Sequence, residues 1–116
     1  PALMKRHMRG KCKPFSPKKW PSVVLEAFDV LAENNWIPCS TLIMGLPGET
    51  EGDLEYTISL VEKLRPFKSL IIPLFLVSIG GLRGKTESFT ADDMTVKHTM
   101  LFIECWEHNL KWAPHL

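Results

Sequence analysis

No apolar run in the sequence approaches the ~20 residues that a membrane-spanning helix requires. The longest, Leu70 to Val77, spans eight residues and carries Pro73 inside it. No membrane partner is therefore expected. Cysteine is scarce as well: Cys12, Cys39 and Cys105 are odd in number and far apart, and no Cys-x-x-Cys pair occurs. That excludes a disulfide scaffold. The histidines His7, His98, His108 and His115 make no tight spacing with these cysteines, which argues against structural zinc. No charged, then apolar, then small-residue leader opens the chain, so the expectation is a protein without a secretory signal and of cytoplasmic location. Pro1 in place of Met reads as a cut or processed start. There is no internal repeat and no low-complexity tract.

What remains is 116 residues, 45% hydrophobic, with 7 Gly and 9 Pro, the profile of one small globular unit. Its net charge of +1 hides an asymmetry. Lys5, Arg6, Arg9, Lys11, Lys13, Lys18 and Lys19 precede Trp20, whereas the first acid is Glu26. From Trp20 onward seven basic residues face thirteen acidic ones, a balance of −6. A basic segment on an acidic body is either a solvated terminus or a surface for nucleic acid or another anion. Lysine and arginine with only Phe15 among them make a thin case for RNA. Glu104 and His108 share one helical face and could hold a metal, although an ordinary surface contact is the simpler reading of that spacing.

Ser16-Pro17 resembles an N-cap followed by proline at the first helical position, and Pro21 can push the start later. Trp20, Val23, Val24, Ala27, Phe28 and Leu31 follow helical spacing, which predicts an amphipathic helix ending near Asn34-Asn35. Cys39 to Met44, stopped by Gly45, predicts a buried strand. Thr50-Glu51-Gly52-Asp53 has the form of a capping box, and Leu54, Ile58, Val61 and Leu64 mark the inner face of the helix that follows, ended by Pro66. Leu70 to Val77 predicts a strand buried on both faces, with Pro73 demanding a bulge or an edge position. Gly80-Gly81 and Gly84 make a loop. Ile103, Trp106, Leu110 and Ala113 carry helical spacing within a last helix over Thr95 to Trp112. Trp20, Trp36, Trp106 and Trp112 read as core and seam residues rather than a base-stacking platform.

Helix, strand, helix, strand, helix implies two parallel strands joined by a helical crossover. Two such strands cannot cover their own faces and edges, so the expectation is part of a larger α/β body.

Thr41 to Thr50, with the sequence TLIMGLPGET, is a strand, a Gly and Pro turn and a capped helix. Ligands of α/β proteins sit at the carboxyl ends of strands, where such loops gather. A phosphate loop needs Gly-Lys-Ser/Thr at its end, and here Glu49 follows Gly48. A carboxylate there repels phosphate and suits hydroxyl or amino groups, such as those of a ribose or an amino acid. A plain turn, with Glu49 favoured by the helix dipole, is the alternative.

Thr41 to Asp53 resembles the G-[LF]-P-G-E-T-x-x-D segment of radical S-adenosylmethionine enzymes, at the fifth strand of their (β/α)6 partial TIM barrel. The similar branch is one whose members often carry a cobalamin-binding domain ahead of the barrel and which is related to the methylthiotransferases. Residues 4–11 are similar to the Met-x-Arg-Gly region after the family's fourth strand, Ser69 to Gly81 to its sixth strand, and residues 105–110 to its terminal helix. The resemblance implies that the chain is the C-terminal half of such a barrel, with a basic helix and loop over 1–19, an αβαβ unit over 20–81, a loop over 82–94 and a C-terminal helix over 95–113. It implies S-adenosylmethionine and a [4Fe–4S] cluster in the parent protein, and raises cobalamin as a further cofactor. Ile43 and Gly45 fall on the adenine-packing motif G-x-I-x-G-x-x-E. Thr41 replaces its first Gly, and its acid appears one residue late as Glu49. Phe75 and Val77 would line the same adenine wall, mostly through backbone.

The cluster-binding Cys-x-x-x-Cys-x-x-Cys is absent, so the chain alone is expected to be inactive, and its first partner is the remainder of its own barrel. A different reading makes it a non-catalytic α/β interaction module. That module would self-associate through exposed strand edges and bind an anionic partner or RNA through residues 5–19.

Overall fold

The computed structural model describes the backbone of Pro1–Leu116 and every side chain except that of Leu82. It is a mixed α/β structure with five helices and a two-stranded parallel sheet. The helices are α1 (Ala2–His7), α2 (Arg9–Cys12), α3 (Trp20–Glu33), α4 (Glu51–Leu64) and α5 (Val96–Trp112), and the strands are β1 (Cys39–Met44) and β2 (Leu70–Phe75). Among the described residues no helix is long and apolar enough to cross a membrane.

The local chemistry sets these boundaries. Ser16-Pro17 opens only a short 3-10 turn, Pro17–Lys19, and α3 starts at Trp20. Pro21 then sits in the first helical turn, where a missing N–H costs nothing. Asn34 caps the far end of α3, and Asn35 takes the left-handed backbone at φ 58°. Helix α4 has the expected capping box: the Thr50 N–H donates to Asp53 Oδ2 at 2.9 Å and the Asp53 N–H donates to Thr50 Oγ1 at 3.3 Å.

β1 and β2 pair in parallel from Cys39↔Leu70 to Met44↔Phe75, with α4 as the crossover. Met44 and Ile71 turn towards the helices and form the core with Phe28 of α3, Leu54, Val61 and Leu64 of α4, and Leu101 and Cys105 of α5. The opposite face is bare: Ile43 is 43% exposed, Ile72 39% and Leu74 44%. The expectation of strands buried on both faces is thus corrected. Within this chain helices cover only one of two apolar faces.

The two outer edges of the sheet are unlike. The ladder continues past both strand ends through the Leu70 N–H to Pro38 O, 3.0 Å, and the Leu76 N–H to Met44 O, 2.9 Å. Even-numbered residues of both strands therefore spend their backbone groups on each other, and odd-numbered ones point outward. On β2 the Asn109 side chain takes the outward groups of Ile71, accepting from its N–H at 2.8 Å and donating to its carbonyl at 2.8 Å. Pro73, next along that edge, has no N–H to leave unpaired, which meets the edge position its sequence context demanded. On β1, among the described residues, no strand flanks Cys39, Thr41 and Ile43.

Helix α5 departs most from its reading. Its buried face is His98, Leu101, Cys105 and His108, whereas Ile103, Trp106 and Leu110 lie on the exposed side. Trp36 and Trp106 are also exposed rather than core. The C-terminal turn of α5 reaches back to the end of α4, where Lys111 Nζ and the Trp112 indole N–H both donate to Arg65 O.

Candidate functional site

β1 ends at Met44, and Gly45 turns the chain at φ 82°. The freed Gly45 N–H donates to both carboxylate oxygens of Glu49, at 3.0 Å and 3.2 Å. The Glu49 N–H closes the turn on Leu46 O at 2.9 Å. The carboxylate thus folds back over the strand end it follows. Gly48, also at positive φ (78°), lies beneath α1: Arg6 Nη1 donates to Gly48 O at 3.3 Å and His7 Nε2 to Pro47 O at 2.8 Å.

His98, in the first turn of α5, completes the arrangement. Its Nε2 lies 2.8 Å from Glu49 Oε1, and both side chains are more than nine-tenths buried. The Thr95 N–H points at His98 Nδ1 from 3.2 Å, which makes Nδ1 an acceptor and assigns the ring proton to Nε2. The imidazole therefore donates to Glu49 while standing in the glutamate position of the α5 capping box. Glu49 Oε2, with only the longer Gly45 contact, keeps acceptor capacity.

Phe89 closes the site from the loop between β2 and α5. Its N–H donates to Leu76 O at 2.9 Å, and its ring stacks on Phe75 at 5.0 Å and tilts against His98 at 4.9 Å. The ring fills the space that a Cβ on Gly45 would need. Between residues 45–49 and 85–89 lies an open cleft of about 580 Å³, with Asp93, Thr95 and His98 at its wall. Glu49, Glu87, Asp93 and Lys85 are among the residues that line it, a lining with more acid than base.

Of the residues singled out in the sequence, Gly45 and Glu49 are in direct contact, and Phe75 joins them through Phe89. Ile43 is elsewhere, on the bare face of the sheet opposite its register partner Leu74. Val77 lies beyond β2 and is exposed. Ile43 and the Phe75 ring occupy opposite faces of the sheet, because successive strand residues alternate. Three residues at the site carried no expectation of a place in it: His98, Phe89 and Thr95. The Thr95-x-x-His98 spacing, one helical turn at the start of a helix, is the one local signal for the first of them.

Glu104 and His108 diverge. Glu104 Oε1 accepts from Arg65 Nη2 at 2.5 Å, while His108 Nε2 meets Ser69 Oγ at 2.8 Å in the core. Burial above all depresses the His108 pKa, with nearby Lys111 and Arg65 adding to the effect. Burial likewise pushes the Cys105 thiol up to about 11. Cys12 is buried too and Cys39 is exposed, and among the described residues no group of His, Cys, Asp and Glu converges as a metal site. Comparisons with protein-family models, with curated proteins and with solved structures find no match.

Proposed function

We propose that this chain is the C-terminal part of a radical S-adenosylmethionine enzyme's barrel, contributing a wall of the adenine site. The observation that carries the reading is the unlike treatment of the two sheet edges. β2 is finished as an outermost strand, by Asn109 at Ile71 and by Pro73, while β1 offers an unpaired edge and the sheet a bare apolar face. A partial barrel read from its last two strands has this form: a closed lateral edge, an edge awaiting the preceding strand, and a lumen-facing surface.

The donor sets present divide between the two cofactors. The cysteines do not fit a [4Fe–4S] cluster, since two are buried apart from each other and one lies alone at the surface. Any cluster ligands belong to the rest of the parent protein. S-adenosylmethionine fits better, because Ile43 and Leu74 present adjacent apolar side chains at the sheet's open face, suited to the face of a purine. Bound and reduced at a cluster, it would supply a 5′-deoxyadenosyl radical. The residues of this chain would bind and orient it: Ile43 and Leu74 would hold the base, while the Glu49–His98 pair fixes the loop above the strand ends.

The test is made on the full-length protein, purified anaerobically with its iron reconstituted. S-adenosylmethionine-dependent formation of 5′-deoxyadenosine is expected. An intact, iron-loaded preparation that forms none overturns the reading.

A further inference from the structure

Independently of that chemistry, the structure assigns the basic N-terminal unit as a binding surface for single-stranded nucleic acid. Residues 1–19 hold seven Lys and Arg and no acid, yet they do not form a loose arm. α1 packs on α2 and on the 3-10 turn at Pro17–Lys19, and Cys12 of α2 is fully buried. Arg6 and His7 fasten this unit to the 47–48 carbonyls. Folding spends few of its charges. Lys5, Arg9, Lys11, Lys13, Lys18 and Lys19 are exposed. Every ion pair among the described residues involves Arg65, Lys97 or His98 instead.

A compact, unneutralised basic surface on a body of net −6 attracts a polyanion, through release of the polyanion's counterions. Two features select a single strand. Phe15, 47% exposed, lies in sequence between the exposed Lys13 and Lys18, so a base stacked on its ring would bring its phosphates towards flanking lysines. The longest helix in the unit, α1, has six residues, less than two turns, so the unit offers no extended recognition helix to a duplex groove.

Fluorescence anisotropy of a labelled dodecameric oligouridylate, titrated with the full chain, tests this. Saturable binding at 50 mM salt is expected to weaken roughly 100-fold by 200 mM, the loss for about five neutralised phosphates on a single strand. The Lys11→Glu/Lys13→Glu/Lys18→Glu variant should bind at least tenfold more weakly with an unchanged circular dichroism spectrum, and Lys63→Glu on α4 should bind as the parent chain does. Phe15→Ala should lose roughly tenfold without altering the salt slope. An oligodeoxythymidylate arm separates recognition of RNA from recognition of any single strand, and either pattern supports the surface. Absence of binding at 50 mM salt overturns the proposal, as does a triple-lysine variant that binds like the parent. So does equal affinity for anionic phospholipid vesicles together with no effect of Phe15→Ala.

Discussion

His98 Nε2 and Glu49 Oε1 lie 2.8 Å apart across a sequence separation of 49 residues, and this bond ties the first turn of α5 to the end of β1. Both side chains are buried, and the carboxylate also holds the Gly45 N–H. Removing either partner leaves the other polar group buried and short of a bond, which costs about 1–3 kcal/mol. Glu49→Ala and His98→Ala should each lower stability by that order in urea unfolding. The double variant should reveal a coupling of about 1–2 kcal/mol, as expected for groups in direct contact. A coupling indistinguishable from zero would remove the pair from the account of how the loop is held.

Gly45 and Gly48 both sit at positive φ, but their surroundings differ. A Cβ at Gly45 meets the Cβ and ring carbons of Phe89, which is itself pinned between Phe75 and His98. A Cβ at Gly48 meets the tip of Arg6, which can swing aside into solvent. Backbone strain of about 1–3 kcal/mol is common to both substitutions. Gly45→Ala should therefore be clearly the more destabilising in a thermal melt, and Phe89→Ala should narrow the difference. Equal losses for the two alanine variants would mean that Phe89 does not pack on Gly45.

The elements themselves were legible because each carries its own punctuation. β1 stops at Gly45, α4 opens with Thr50 and Asp53, and α3 closes at Asn34 and Asn35. The buried face of α5 was not legible. Its largest apolar residues, Ile103, Trp106 and Leu110, form an exposed stripe, while two of the four buried positions are histidines. Periodicity ranks residues by hydrophobicity, and a histidine earns a core position only through partners, here Glu49 and Ser69, that lie about forty residues or more away in the chain. The same limit hid half of the site. Glu49 and Gly45 belong to one local motif, whereas Phe89 and His98 reach them by tertiary folding alone.

Asn109 is predicted to guard the edge of β2. Its amide both accepts from and donates to Ile71, in the manner of a neighbouring strand. Asn109→Ala removes two hydrogen bonds at a half-buried position and should destabilise by about 1–3 kcal/mol. It also frees backbone groups of Ile71 for pairing with another chain. Asn109→Gln cannot place both amide atoms at once and should behave similarly. Sedimentation velocity and urea unfolding should thus report a less stable, more self-associating protein for both variants. Unchanged stability with unchanged association would leave that edge without a guard.

His108 makes stability depend on pH, and the sign follows from its burial. The ring is enclosed in the core, with Nε2 on Ser69 Oγ and no partner at Nδ1, and its pKa lies below the ordinary value of 6.5. Protonation is easier in the unfolded chain than in the folded one. Between the depressed folded pKa and 6.5 the unfolded state therefore binds more protons, and stability rises with pH. The contribution is fully present above 6.5, is lost progressively as pH falls below it, and levels off once the folded ring also protonates. Urea midpoints measured from pH 7.5 down to pH 5 should fall on acidification. In His108→Gln, an uncharged side chain that still offers Ser69 a polar partner, that part of the slope should vanish even if the variant starts from a lower midpoint. A variant whose midpoint falls with pH as steeply as the parent's would assign the dependence to other groups.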